Sequence, residues 1–162
     1  MHTFIGKISL SFLCALLCTS TVSTAQDNTS ILIGKVRAEY QKINSEKLRK
    51  VYVEPKNESS EGGDVYRYYS GDTLRKIVTD YMGAIGGQTS EYYFSNGQLC
   101  FAFIVEYRYD KPMSGHVIER IENRYYFHNR RLIRWIDEHG KNRDKSLYAE
   151  KAKQILADED LK

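Results

Sequence analysis

The chain has 162 residues, 41% hydrophobic and 28% charged, the make-up of one folded domain rather than of a disordered chain or a polytopic membrane protein. Its 24 Lys and Arg against 21 Asp and Glu leave a net charge of +3, too small to point to nucleic acid or an acidic polymer as partner. Thirteen Tyr against two Pro and one Trp suit a β-sheet.

Residues 1–25 have the pattern of a secretory signal. Lys7 supplies positive charge, Ile8 to Leu17 is an apolar run of signal-core length, and Ser23-Thr24-Ala25 offers small residues at the positions a signal peptidase reads. The run is shorter than a stable bilayer span. Cys14 and Cys18 each follow a leucine rather than a small residue, which argues against a lipoprotein. The expectation is a single mature domain over residues 26–162, exported to the periplasm or beyond, with no transmembrane span after cleavage. Cleavage would leave Cys100 as the one cysteine, excluding an intramolecular disulfide. Its place inside Leu99-Cys100-Phe101-Ala102-Phe103-Ile104-Val105 predicts a buried thiol.

Helical periodicity runs from Ile31 to Lys50, with Leu32, Val36, Tyr40 and Ile43 on one face and Asn44-Ser45 as its interruption or end. Val51-Tyr52-Val53 is a short strand candidate, and Lys56 to Asp64 reads as a loop. Three hairpins follow. The first joins Val65–Tyr69 to Leu74–Tyr81 through Gly71-Asp72, and the second joins Thr89–Phe94 to Leu99–Tyr109 through Asn96-Gly97. The third joins Val117–Phe127 to Leu132–Asp137 through Asn129-Arg130. Asn-Gly is the strongest short hairpin signal because both turn residues need positive φ; Arg at the glycine position carries a steric cost. Gly83-Ala84-Ile85-Gly86-Gly87 reads as a flexible connection between hairpins. Asp144 to Leu161 returns to helix, capped by Asp144, with Tyr148, Ala152, Ile155 and Leu156 on one side. The predicted fold is α+β: an antiparallel meander of about six strands flanked by N-terminal and C-terminal helices.

The segment Tyr92-Tyr93-Phe94-Ser95-Asn96-Gly97-Gln98-Leu99 aligns with Tyr125-Tyr126-Phe127-His128-Asn129-Arg130-Arg131-Leu132, and Tyr68-Tyr69-Ser70-Gly71-Asp72-Thr73-Leu74 is a shorter copy. On this motif, from about Ile31 to Gly140, the chain resembles small secreted bacterial proteins of unassigned function. The turn-centred repeats also resemble, faintly, the hairpin repeats of the YwqK-like antitoxin and MORN families, which are shorter and more regular. The first resemblance implies an envelope or extracellular accessory protein; neither implies an activity.

Two-residue turns fix register and so assign faces. Phe94 then opposes Leu99, Tyr92 opposes Phe101, Phe127 opposes Leu132 and Tyr69 opposes Leu74; with Phe103 and Val105 these form the predicted core face, on which both helices would pack. The other face pairs Tyr93 with Cys100, Tyr126 with Ile133, Tyr68 with Arg75 and Arg124 with Trp135. Tyr, Arg and Trp combine apolar area with polar tips and suit interfaces. Tyr68, Arg75, Tyr93, Arg124, Tyr126 and Trp135 are therefore the candidate binding residues, for a protein or a glycan. A helix or the Val51 segment covering that face is the competing expectation.

No phosphate loop, Cys-x-x-Cys or His-Glu-x-x-His occurs, so no cofactor or metal is expected, and His116, His128 and His139 are widely spaced. Glu106, Glu119 and Glu122 are the acids a glycoside hydrolase would need, but a three-residue spacing sends Glu119 and Glu122 to opposite faces of a strand. Ser114-Gly115-His116 places a hydroxyl near an imidazole without triad geometry. Arg120, Arg124, Arg130, Arg131, Arg134 and Arg143, interleaved with acids, read as a solvated mixed surface. The sequence favours a non-enzymatic binding or accessory protein. An inhibitor or immunity-type protein using Lys111–His116 or Met82–Gln88 is one alternative, and a hydrolase is the other.

Overall fold

A computed structural model describes residues 21–56, 62–158 and 161, with side chains described from Asn28 onward. Most of the signal-like stretch, residues 1–20, and Asn57–Glu61 of the expected loop lie outside the described residues. The elements are helix α1 (Thr21–Ser45) and strands β1 (Arg49–Val53), β2 (Gly63–Ser70), β3 (Thr73–Gly83), β4 (Gly86–Ser95), β5 (Gln98–Tyr109), β6 (Val117–His128) and β7 (Arg131–Ile136). A 3-10 turn (Lys145–Leu147) then leads into helix α2 (Tyr148–Leu156). All seven strands form one antiparallel sheet in sequence order, the meander expected of an α+β chain. The Val51 segment is its first edge strand. Helix α1 begins before Ile31 and ends at Ser45, so Asn44-Ser45 is its end rather than an interruption, and β1 starts at Arg49 within the expected extension to Lys50. Gly83–Gly87 is no loose connection: a two-residue turn at Ala84-Ile85 closes β3 onto β4.

Each of the three expected hairpins pairs as predicted beside its turn and then slips. Tyr69 faces Leu74, Phe94 faces Leu99 and Phe127 faces Leu132. One step further, Tyr68 faces Lys76, Tyr93 faces Phe101 and Tyr126 faces Arg134. Arg75, Cys100 and Ile133 are the extra residues of three β-bulges at equivalent positions. A bulge inserts one residue and inverts the alternation of everything beyond it. The expected pairs Tyr68–Arg75, Tyr93–Cys100, Tyr126–Ile133 and Tyr92–Phe101 are therefore wrong by one residue. Arg124 faces Ile136, and Trp135 faces Tyr125.

The inversion divides the apolar residues between two faces. On one, Tyr92, Phe94, Leu99, Ala102, Ile104, Tyr125, Phe127 and Leu132 pack with Tyr148, Ala152 and Ile155 of α2. On the other, Tyr93, Cys100, Phe101 and Tyr126 pack with Ile33, Val36 and Ile43 of α1, with Phe103 at the margin. The helices thus cover opposite faces, correcting the expectation that both lie on one, and Phe101 and Phe103 belong under α1 rather than with Phe94 and Leu99. Ile33, not Leu32, begins the buried stripe of α1. Asp144 accepts from the Ser146 N–H and caps the 3-10 turn, not the expected helix: α2 itself begins at Tyr148 with Leu147 as an N-cap that makes no side-chain bond, and it ends at Leu156 rather than Leu161.

Candidate functional site

The face carrying most of the predicted binding residues is largely roofed by α1. Tyr93 is 0% exposed and Tyr126 is 5% exposed. The Tyr93 hydroxyl donates to Glu91, accepts from Lys76 Nζ at 2.9 Å and lies 3.3 Å from Asn44 Oδ1 at the end of α1. Burial first, then the hydrogen bond to Glu91, pushes its pKa upward. Arg75 is also buried, with its guanidinium 2.6 Å from Glu39 and 3.6 Å from Glu46, both on the α1 side. Tyr68 is half-buried toward the sheet edge, with Lys50 Nζ 6.0 Å from its ring centroid; Lys50 sits closer, 3.6 Å, to that of Tyr66. Trp135 leaves the group altogether. It packs on the α2 side, donating Nε1 to Asn123 Oδ1 at 2.7 Å, with its ring 5.2 Å from that of Tyr125. The covering-helix expectation thus holds for Tyr93, Tyr126 and Arg75.

One helix cannot roof the whole sheet. Seven strands at about 4.8 Å spacing span roughly 29 Å, while a helix with its side chains is about 10–12 Å wide. The flank left open over β5 and β6 is a groove of about 420 Å³ lined by Val36, Arg37, Tyr40, Gln41, Phe101, Phe103, Arg124 and Tyr126. Positions 36, 37, 40 and 41 recur at helical spacing, so one shoulder of α1 forms a wall. Alternate residues of β5 and β6 form the floor. The Arg37 guanidinium lies 5.9 Å from the Tyr126 ring centroid, and that of Arg124 lies 5.0 Å from Phe103. Arg124 also binds Glu122 at 2.7 Å, and Glu122 holds Arg120 at 3.0 Å. These two arginines keep the Glu122 carboxyl below its ordinary pKa, with the Arg120 hydrogen bond the larger influence. Arg37 has no carboxylate partner among the described residues. Tyr40 remains 38% exposed at the groove mouth although its ring touches those of Tyr93 and Phe101.

The groove therefore unites Arg124 and Tyr126 with residues the strand-face reasoning omitted: Arg37, Tyr40 and Phe103. The signal for the first two lay in the helix itself, since Arg37 and Tyr40 flank its apolar stripe. That for Phe103 was masked by the bulge at Cys100.

The other chemical candidates do not converge. Glu119 is held by Arg108 at 2.9 Å and Glu122 by Arg120 and Arg124, so both serve structural ion pairs. Glu106 pairs with Ile121 while Glu122 pairs with Val105, so alternation sends these two acids to opposite faces. Ser114 Oγ donates to Asp110 at 2.6 Å, and His116 Nδ1 lies 3.4 Å from the same carboxylate. Hydroxyl and imidazole thus share one acceptor, which organises the loop. Cys100 is buried, as expected, and burial pushes its thiol up to about 11. Among the described residues no group of three or more His, Cys, Asp or Glu side chains is arranged to hold a metal, and no helix is long and apolar enough to cross a membrane. No protein-family model, curated protein or solved structure matches the chain, so the motif resemblances carry no functional assignment.

Proposed function

We propose that the protein is an exported, non-enzymatic binding protein whose ligand is a segment of a partner protein seated in the groove beside α1. The observation that carries this reading is the pair of guanidiniums, Arg37 and Arg124, set over an aromatic floor whose half-buried margin, Phe103, lies along the flank that α1 leaves open. Such a site favours apolar or aromatic side chains next to a carboxylate. The floor contributes area, and the carboxylate supplies a partner to Arg37. Peptide selection against the full chain tests it. Enriched peptides are expected to place Asp or Glu beside an aromatic residue. Arg37→Gln is expected to weaken them about tenfold, the loss of one charge-assisted hydrogen bond. Selected peptides that bind an Arg37→Gln/Tyr40→Ala variant undiminished would exclude the groove.

A second reading, a secreted inhibitor or immunity-type protein, draws on a different place. The Met113 N–H donates to the Ala84 carbonyl at 2.7 Å, joining the β5–β6 loop to the β3–β4 turn. Met82, Ile85 and Met113 are exposed there, and Met113 holds a positive φ of 61°. A non-glycine residue in that conformation costs energy and displays its side chain. Loss of partner binding on Ile85→Ser/Met113→Gly, with Arg37→Gln silent, selects this reading over the groove.

A further inference from the structure

The α2 side carries a cleft of a different character. About 540 Å³ in volume, it is lined by Arg130, Arg131 and Leu132 from the β6–β7 hairpin and by Lys145, Tyr148, Ala149, Ala152, Lys153 and Leu156 from the C-terminal helical segment. The helical residues recur at spacings of three and four, one continuous stripe. Alanine at 149 and 152 leaves the stripe hollow between Tyr148 and Leu156. The floor is apolar and the rim is cationic: Arg130, Arg131, Lys145 and Lys153 are all exposed. Among the described residues no carboxylate lines the cleft. Among the described residues none of these four cations has a carboxylate within salt-bridge distance, whereas Arg75, Lys76, Arg108, Arg120 and Arg124 each do.

The turn that supplies Arg130 adds a second observation. The β4–β5 turn is Asn96-Gly97, with φ of 51° and 72°. The β6–β7 turn adopts the same conformation with Asn129-Arg130, at 48° and 61°. Glycine takes that second position freely, while arginine carries a steric penalty there. Its equivalent in the neighbouring hairpin is glycine, so stability does not account for an arginine at this site. A side chain kept at a conformational cost in an open cationic cleft is a mark of binding.

We infer that this cleft binds an amphiphilic anion, with a phosphate-bearing head held by Arg130, Arg131, Lys145 and Lys153 and an apolar portion lying on Leu132, Tyr148, Ala152 and Leu156. Clustered cations favour a multiply charged head over a single carboxylate, and the floor gives an attached chain somewhere dry to lie. The site is on the opposite side of the sheet from the groove and stands independently of it.

Arg130→Gly separates binding from folding, because it removes the charge and relieves the turn at once. Titration of the full chain with dodecyl phosphate, below its micellar concentration and at low salt, is expected to saturate. Affinity is expected to fall about tenfold in Arg130→Gly and further in Arg130→Gly/Lys153→Gln. The urea midpoint of Arg130→Gly should meanwhile equal or exceed that of the parent. Competition by phosphatidylglycerol vesicles, but not by phosphatidylcholine vesicles, identifies the head as that of a membrane lipid. Failure of both to compete identifies a soluble amphiphile. Absence of saturable dodecyl phosphate binding overturns the inference, and so does unchanged affinity in the double variant. A destabilised Arg130→Gly also overturns it, since the arginine would then be held by a structural role.

Discussion

Arg75, the extra residue of the bulge in the β2–β3 hairpin, reaches out of the sheet to place its guanidinium 2.6 Å from the Glu39 carboxylate of α1. Their side chains are 10% and 22% exposed, so the pair is neither solvated nor fully sealed. Glu46 adds a second carboxylate at 3.6 Å. The charged side chain assigned by face reasoning to ligand binding is thus the clasp between sheet and helix. Arg75→Met is expected to lower the unfolding free energy by about 2 kcal/mol, between the values for exposed and fully buried pairs, because it strands Glu39 beneath the helix. Glu39→Gln should cost less, since Glu46 remains to partner the arginine. Urea denaturation of the two variants and their double mutant checks the ordering.

A second consequence concerns alkaline pH. Burial is the largest cause of the raised Cys100 pKa, about 11 against an ordinary 9.0, with the Glu39 charge next. Burial likewise pushes up Tyr92, Tyr93 and Tyr125. A group whose pKa is higher folded than unfolded contributes its full share below the unfolded value. That share is lost as the unfolded chain ionises and the folded chain does not. Stability should therefore stay level below pH 9 and decline between pH 9 and 11, by about 2 kcal/mol for the thiol. The tyrosines add to the decline from about pH 10 upward, where they ionise in the unfolded chain. Denaturation midpoints measured at intervals across this range, with Cys100→Ala as control, test it: the variant should lose the onset between pH 9 and 10 and keep the tyrosine decline above pH 10.

Why the strands were legible and their faces were not follows from the same hairpins. Asn96-Gly97 and Asn129-Arg130 mark chain reversals through backbone conformation, a local property that short sequence carries. Pairing next to each turn, such as Phe94 with Leu99, is fixed by the turn itself. A bulge answers to the twist and curvature of the whole sheet, which no residue near Cys100 declares. One unread bulge then misplaced Phe101 and Phe103, the bulge at Ile133 misplaced Trp135, and together they hid that the meander has an apolar residue set for each of two helices. The repeat held a clue, since three copies of one motif bulge at three equivalent positions. Arg124 and Tyr126 keep the face assigned to them because the extra residue of the β6–β7 bulge, Ile133, lies in β7 and not in β6, whereas the places of Arg37 and Tyr40 depend on where α1 crosses the sheet.

Thr79 offers a test of the sheet interior on the α2 side. It is 1% exposed, between Val65 and Ser90 in register, and its hydroxyl has no hydrogen-bond partner among the described residues. An unpartnered buried hydroxyl loses its hydration without return, and valine has nearly the same shape. Thr79→Val is accordingly expected to raise stability by about 1 kcal/mol in urea denaturation. A loss of similar size would show that the hydroxyl is satisfied.

Two glycines make opposite predictions. A Cβ on Gly86 would collide with the Tyr107 carbonyl oxygen, a backbone atom held in the sheet between β4 and β6. Gly34 lies on an exposed face of α1, where an added Cβ meets nothing within 4 Å. Gly86→Ala is expected to cost roughly 3 kcal/mol through forced separation of β4 from β5. Gly34→Ala should gain up to about 1 kcal/mol from helix propensity. The Gly86 effect should also appear locally. The Tyr109 N–H bonds the Ile85 carbonyl at 2.9 Å and the Met113 N–H bonds that of Ala84, so the joined tip depends on this close approach. Hydrogen exchange at Tyr109 and Met113 should quicken in Gly86→Ala while amides in α2 keep the protection set by global stability. Equal acceleration everywhere would mean that the tip opens only with the whole fold, and that its display of Met113 and Ile85 is rigid.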